Sequence, residues 1–177
     1  MNNYSIHIEN GKVVGDTTFY LLSSSMLDKE CKRLCKLTDT LDKAPSRKKE
    51  NIMDYKCAKY RYSAVSLIHS LLYNNDRLRK LRDMKNTCYL MENFCDVLTA
   101  NPEYFHHYEA APEDEKPEFS LYYGVRVFIE QKTRELEENL KNADDLERVE
   151  LEERLEGFAF ASTCLDEAWE KRGEASV

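Results

Sequence analysis

Among the side chains of this 177-residue chain that could do chemistry, the acids are the most concentrated. The stretch QKTRELEENLKNADDLERVELEERLEG, residues 131–157, carries ten carboxylates against five cations. Four acid-first pairs at a spacing of four residues, Glu130–Arg134, Glu137–Lys141, Asp144–Arg148 and Glu150–Arg154, each support a helix by roughly 0.2–0.5 kcal/mol. They account for most of the cations. They leave Glu135, Glu138, Asp145, Glu147, Glu152, Glu153 and Glu156 with no such local role. Surplus carboxylates on a rigid rod can occupy a groove built for phosphate, because the groove's focused field acts on any negative charge. These seven residues form the candidate partner-binding surface, and the plain alternative is a solvated helical face.

The opposite charge is concentrated earlier in the chain. DYKCAKYRYS interleaves Lys56, Lys59 and Arg61 with Tyr55, Tyr60 and Tyr62, and RLRKLRDMK adds Arg77, Arg79, Lys80, Arg82 and Lys85. Cations for phosphate beside aromatic platforms for bases make this the alternative, nucleic-acid-binding site. Tyr55 and Tyr62 also fall on an apolar stripe, which predicts a core position for both. A third arrangement has the basic half facing the acidic half inside the molecule.

Other chemistry is thinly represented. Glu103-x-x-His106 has the helical spacing of carboxylate-bridged metal centres, but such bundles require two motifs of this kind and further inward carboxylates, and one is present. His69 lies on a core stripe with no nucleophile assignable to it from the sequence, so a hydrogen-bonded core histidine is expected. Phosphate loop, dinucleotide fingerprint and nucleophile elbow are all missing. The chain is therefore expected to be non-catalytic, with no metal and no cofactor.

The elements that must hold these groups follow from composition and period. Five Gly and four Pro are few for this length and favour long helices. Residues 28–85 hold sixteen Lys and Arg against eight Asp and Glu, while residues 92–177 hold nine against twenty-three, so charge is polarised along the chain. Cys31, Cys35, Cys57, Cys88, Cys95 and Cys164 are scattered through helical sequence, which predicts free thiols packed as small apolar groups. No apolar run approaches the ~18 residues of a membrane span and MNNYSIHIENG has no signal-peptide character, so a soluble, cytoplasmic protein is expected.

The predicted fold is mainly α, an antiparallel bundle of about five long helices with a short N-terminal β-hairpin, all in one domain. Ile6 and Ile8 alternate with polar residues before Asn10-Gly11, the preferred type I′ pair, giving a hairpin over 4–15 that pairs Glu9 with Lys12 and Ile8 with Val13. A basic three-helix part follows over 16–100. Its first stripe is Tyr20, Leu27, Cys31, Leu34, Thr38 and Leu41, ending at Ala44-Pro45. Its second, from about Ser46 to Tyr73, is Tyr55, Ala58, Tyr62, Val65, His69 and Leu72. After a turn at YNND comes the third: Leu81, Met84, Cys88, Met91, Cys95 and Leu98. An aromatic and acidic connector occupies 101–117. The acidic helical hairpin spans 118–173, with Val125, Ile129, Leu136 and Leu140 inward on one arm and Leu151, Leu155, Phe158, Ser162, Leu165 and Trp169 on the other. Asp144 and Glu147 have the spacing of a capping box opening that second arm.

The expected function is that of an intracellular helical interaction protein that inhibits or regulates a nucleic-acid-handling protein, as small acidic antagonists of CRISPR or restriction systems carried by phages and mobile elements do. Its partner is expected to be a protein with a basic nucleic-acid-binding groove. Direct nucleic-acid binding by the basic half is the alternative reading, and a metal-binding bundle enzyme stands a distant third.

Overall fold

The structure, a computed structural model, describes residues 7–9, 12–14, 19–43, 49–80 and 116–172, with the side chains of 7–9, 12–14, 49–50, 74–80 and 116–120 not described. The chain is mainly helical. Two short strands, β1 (His7–Glu9) and β2 (Lys12–Val14), pair antiparallel with Ile8 opposite Val13 and Glu9 opposite Lys12. The turn residues Asn10 and Gly11 lie outside the described residues. Four helices follow among the described residues: α1 (Phe19–Asp42), α2 (Lys49–Lys80), α3 (Lys116–Leu140) and α4 (Asp145–Lys171).

The helix ends follow local chemistry. Asp144 caps α4, its carboxylate accepting from the main-chain nitrogens of Leu146 and Glu147, both at 2.9 Å. Glu147 accepts in return from the Asp144 nitrogen at 3.4 Å, completing the box the sequence predicts. Pro117 falls in the first turn of α3, where a missing N–H costs nothing. The predicted turn at Tyr73–Asp76 does not form: α2 runs through it to Lys80. Asn and Asp each disfavour a helix by only about 0.6 kcal/mol, and with neither Gly nor Pro present a helix anchored by Leu71 and Leu72 continues. The third stripe, Leu81 to Leu98, and the connector with Glu103 and His106 lie outside the described residues.

Cross-helix contacts fix the packing. Ser24 on α1 meets His69 on α2, and Leu34 shares a groove with Ala58, so these helices run antiparallel. Tyr122 and Arg126 near the start of α3 meet Asp166 near the end of α4, so these too are antiparallel. Arg61 meets Glu153 and Ala64 meets Gly157, which makes α2 and α4 parallel. It follows that α2 ends and α3 begins at the same end of the bundle. The parallel pair is in close contact, with α1 packed on α2 and α4 on one side and α3 mainly on α4 on the other.

The core between them is formed by Phe19, Leu27 and Leu34 of α1, Val65, Ile68, Leu71 and Leu72 of α2, Val125, Phe128 and Ile129 of α3, and Phe158, Ala161 and Leu165 of α4. Burying each large apolar side chain contributes roughly 1.5–3 kcal/mol. Among the described residues Ser23 is the buried polar exception, satisfied by donating to the Phe19 carbonyl at 2.7 Å. At the end where α1 begins, Tyr122 stacks on Trp169 at 4.6 Å and Phe19 meets both rings edge-on. The Arg172 guanidinium lies over Trp169 at 3.5 Å, closing the stack with a cation–π contact.

The packing explains two effects to be measured. A Cβ at Gly157 would stand 2.7 Å from Ala64 Cβ and 2.9 Å from the Arg61 carbonyl, so α2 and α4 approach as closely as they do because no side chain intervenes. Gly157→Val should lower stability by about 1–3 kcal/mol in urea titration, and Gly157→Ala by less, since a helix-propensity gain of about 1 kcal/mol offsets part of the clash. Burial, helped by neighbouring carboxylates, pushes the thiols of Cys31 and Cys164 up from 9.0 to about 11, and burial with the Asp166 hydrogen bond pushes Tyr122 up from 10.0 to about 12. These groups favour folding while protonated, so stability should hold below pH 9.0 and fall as pH rises through about 11 and on to about 12. A urea midpoint that stays flat over that window would contradict the assignment.

Candidate functional site

The two charge sets predicted from sequence meet at one place. Arg61 of α2 reaches across to Glu153 of α4, its Nε donating to Oε2 at 3.0 Å and its second nitrogen lying 2.7 Å from the same oxygen. Both side chains are largely shielded, 34% and 21% exposed. Each therefore leaves its predicted surface: Glu153 is not available to a partner, and Arg61 is not available to phosphate. The Gly157 contact explains why they meet, since Arg61 is the residue whose main chain packs against that glycine. The same seam carries Cys57, whose thiol is pushed up by burial and then by Glu153, and Tyr60, pushed up by burial and then by Glu150.

The local ion pairs expected along α3 and α4 form only in part. Glu150 pairs with Arg154 at 2.8 Å as expected. Arg134 instead donates from Nε to the Glu130 main-chain carbonyl at 3.4 Å, and the Glu130 carboxylate lies 3.7 Å from Arg126. The Asp144 carboxylate is used in the cap, leaving Arg148 with an ordinary helical N–H bond to the Asp144 carbonyl. Glu135 has the local role that its spacing hid: Lys132 lies at 2.7 Å and Gln131 at 3.1 Å, and the Lys132 bond is the main reason its carboxyl is held below the ordinary value. Asp145 and Glu147 sit in the first turn of α4, where the helix dipole favours negative charge.

Glu137, Glu138, Glu152 and Glu156 are exposed and have no cation partner among the described residues. Three of these belong to the predicted surface. Glu137 joins them because Lys141 does not close the expected pair.

On the basic side, Lys56 and Lys59 on α2 have no carboxylate partner among the described residues, and Lys59 is exposed. Tyr62 is corrected from core to surface, with 37% of it exposed, and Tyr55 is half-buried. The stripe drifts because α2 turns Ala64, Val65, Ile68, Leu71 and Leu72 inward, a face broader than the one traced through the tyrosines. Arg77, Arg79 and Lys80 lie on α2 with side chains not described, and Arg82 and Lys85 lie outside the described residues. His69 is half-buried, its Nε2 lying 3.1 Å from Ser24 Oγ. That contact joins α1 to α2, and no carboxylate among the described residues is bonded to the imidazole.

Grooves border the acidic arm, one of about 440 Å³ at its turn, lined by Asn139, Glu147 and Leu151, and two farther along it. Of these two, one, of about 320 Å³, lies where α1, α2 and α4 meet, lined by Leu34, Leu37 and Ala58 with the Arg61–Glu153 bridge at its wall. The other, of about 580 Å³, runs between α3 and α4, over Ile129, Leu155 and Phe158. No cluster of His, Cys, Asp and Glu suited to a metal ion occurs among the described residues, and no described helix is long and apolar enough to cross a membrane. Comparison with protein families, with curated proteins and with solved structures gives no match.

If the bridge is a structural tie, Glu153→Gln should cost roughly 1–2 kcal/mol, more than an exposed ion pair is worth and less than a fully buried one. A double-mutant cycle with Arg61→Met should return a coupling of at least about 0.5 kcal/mol. Additive single effects would show that the two residues do not act together.

Proposed function

We propose that the chain is a non-catalytic interaction protein that binds a basic, nucleic-acid-handling partner through the carboxylates of α3 and α4, acting as its inhibitor or regulator. The observation that carries this reading is the set Glu137, Glu138, Glu152 and Glu156, exposed without cation partners among the described residues while Glu153 is tied to Arg61. Negative charge fixed on two antiparallel helices and left unneutralised favours a positive groove, and it speeds encounter more than it deepens affinity. The acidic surface proposed here is accordingly narrower than the sequence suggests, because Glu135, Asp145 and Glu147 serve their own helices. The finer architecture belongs to the same proposal: a bundle of about five helices in which the N-terminal strands form a hairpin with a free edge for strand addition.

One observation favours a second reading, direct nucleic-acid binding: Tyr62 is exposed three residues after Lys59, so a platform and a cation share one face of α2. Loss of Arg61 to the bridge weakens it.

Affinity capture from the host, with identification of bound protein and nucleic acid, separates the two. Exchanging Glu137, Glu138, Glu152 and Glu156 for Gln should leave stability within about 0.5 kcal/mol per site and reduce association at least tenfold at low salt. The wild-type rate should fall as salt rises past about 0.1 M, where the Debye length is roughly 10 Å. Binding insensitive both to salt and to the four exchanges, or capture of nucleic acid with no protein, would overturn the reading.

A further inference from the structure

The groove between α3 and α4 has the form of a seat rather than a gap. Its floor is apolar, with Ile129 and Phe158 almost fully buried beneath it and Leu155 half-buried beside the exposed Ala159. Its rim carries three carboxylates, Glu130, Glu137 and Glu156, and one guanidinium, Arg134. The guanidinium Nε is already turned to the Glu130 main chain. The groove spans 129–137 on α3 and 155–162 on α4, or roughly 10–12 Å at 1.5 Å per residue, about two helical turns. We propose that this groove receives an amphipathic basic helix of the partner protein, its apolar residues at i, i+3 or i+4, and i+7 seated on the floor and its Lys or Arg residues set against Glu137 and Glu156, since Glu130 already lies 3.7 Å from Arg126. The inference rests on the function proposed above and adds the class of element recognised. Charge alone would capture any polycation; the apolar floor selects one whose cations flank a hydrophobic stripe, which is how the surface would discriminate.

The probe is a synthetic 14-residue helix with Leu at i, i+4 and i+7 and Lys elsewhere, with a control in which Ser replaces Leu. Both are titrated into the full chain and followed by amide chemical shifts. Ala159→Trp fills the groove from α4 and Thr133→Trp from α3, so one misfolded variant still leaves a test. The Leu/Lys helix should bind at least tenfold more tightly than the Ser/Lys control, shift amides within 129–137 and 155–162, and lose at least tenfold in either filled variant. Equal binding of the two peptides, or filled variants that bind like wild type, would overturn the proposal. So would a dimer of the chain that dissociates on Ala159→Trp, since the occupant would then be a second copy. Partner capture separates this inference from its premise: if the filled variants still capture the partner while the four Gln exchanges lose it, the groove falls and the acidic surface stands. If both retain it, both fall.

Discussion

The close contact of α2 with α4 at Gly157 is the constraint on which the rest of the described structure depends. With hydrogen in place of a side chain, α4 comes within van der Waals reach of Ala64 and of the Arg61 main chain. Ala161, Cys164 and Ala168 extend the small-residue face of α4 toward its end, and all three are buried. Helices this close exclude water and share one core, so Ile68, Leu72 and Leu165 are removed from solvent together. The parallel direction of the pair also decides which ends coincide. It gathers Phe19, Tyr122, Trp169 and Arg172 into one stack at the end where α1 and α3 begin and α4 ends.

The same contact sorts the charges. Placing Arg61 against α4 gives Glu153 a shielded partner, which turns one carboxylate of the acidic arm into part of the scaffold. Asp166 is used similarly at the other end, accepting from Tyr122 at 2.9 Å and pairing with Arg126, so that α3 is braced on α4. Carboxylates facing inward are thus consumed. Glu137, Glu138, Glu152 and Glu156 are exposed and have no cation partner among the described residues, so their charge stays at the surface. An unpaired exposed carboxylate costs the fold little, which leaves these positions free to be used for recognition.

Much of the helical framework was legible in the sequence. The stripes through Leu27 and Leu34, Val65 and Leu72, Val125 and Ile129, and Phe158 and Leu165 identify core positions that are buried in the structure. The Asp144–Glu147 box was readable because its spacing is its mechanism. What escaped was contact between helices. The Arg61–Glu153 bridge joins residues 92 positions apart, and no local period can announce it. Gly157 and Ala161 read as weakly apolar, so a stripe built from large residues passes over them although they set the distance between helices. Tyr62 went to the core by period and lies at the surface because small and aliphatic neighbours fill the buried face of α2 first. The turn at Tyr73–Asp76 rested on turn-prone residues in a segment that tertiary anchoring keeps helical. In the candidate site, the acids were found but their division into tied and free was not, because Arg61 and Arg126 reach carboxylates on another helix and the basic-first Lys132–Glu135 pair at i,i+3 falls outside a search for acid-first pairs at four residues.

The proposed function places recognition on the exposed carboxylates of α3 and α4 rather than on the tyrosine and lysine face of α2. Hydrogen exchange, compared between the free chain and its complex with the captured partner, tests that most directly because it reports where protection is gained on the native backbone. Added protection is predicted along 129–140 and 152–162, with 55–62 exchanging at its free rate on the Lys59–Tyr62 face. Protection confined to 55–62, with the acidic arm unchanged, would contradict the account and give the function to the basic half.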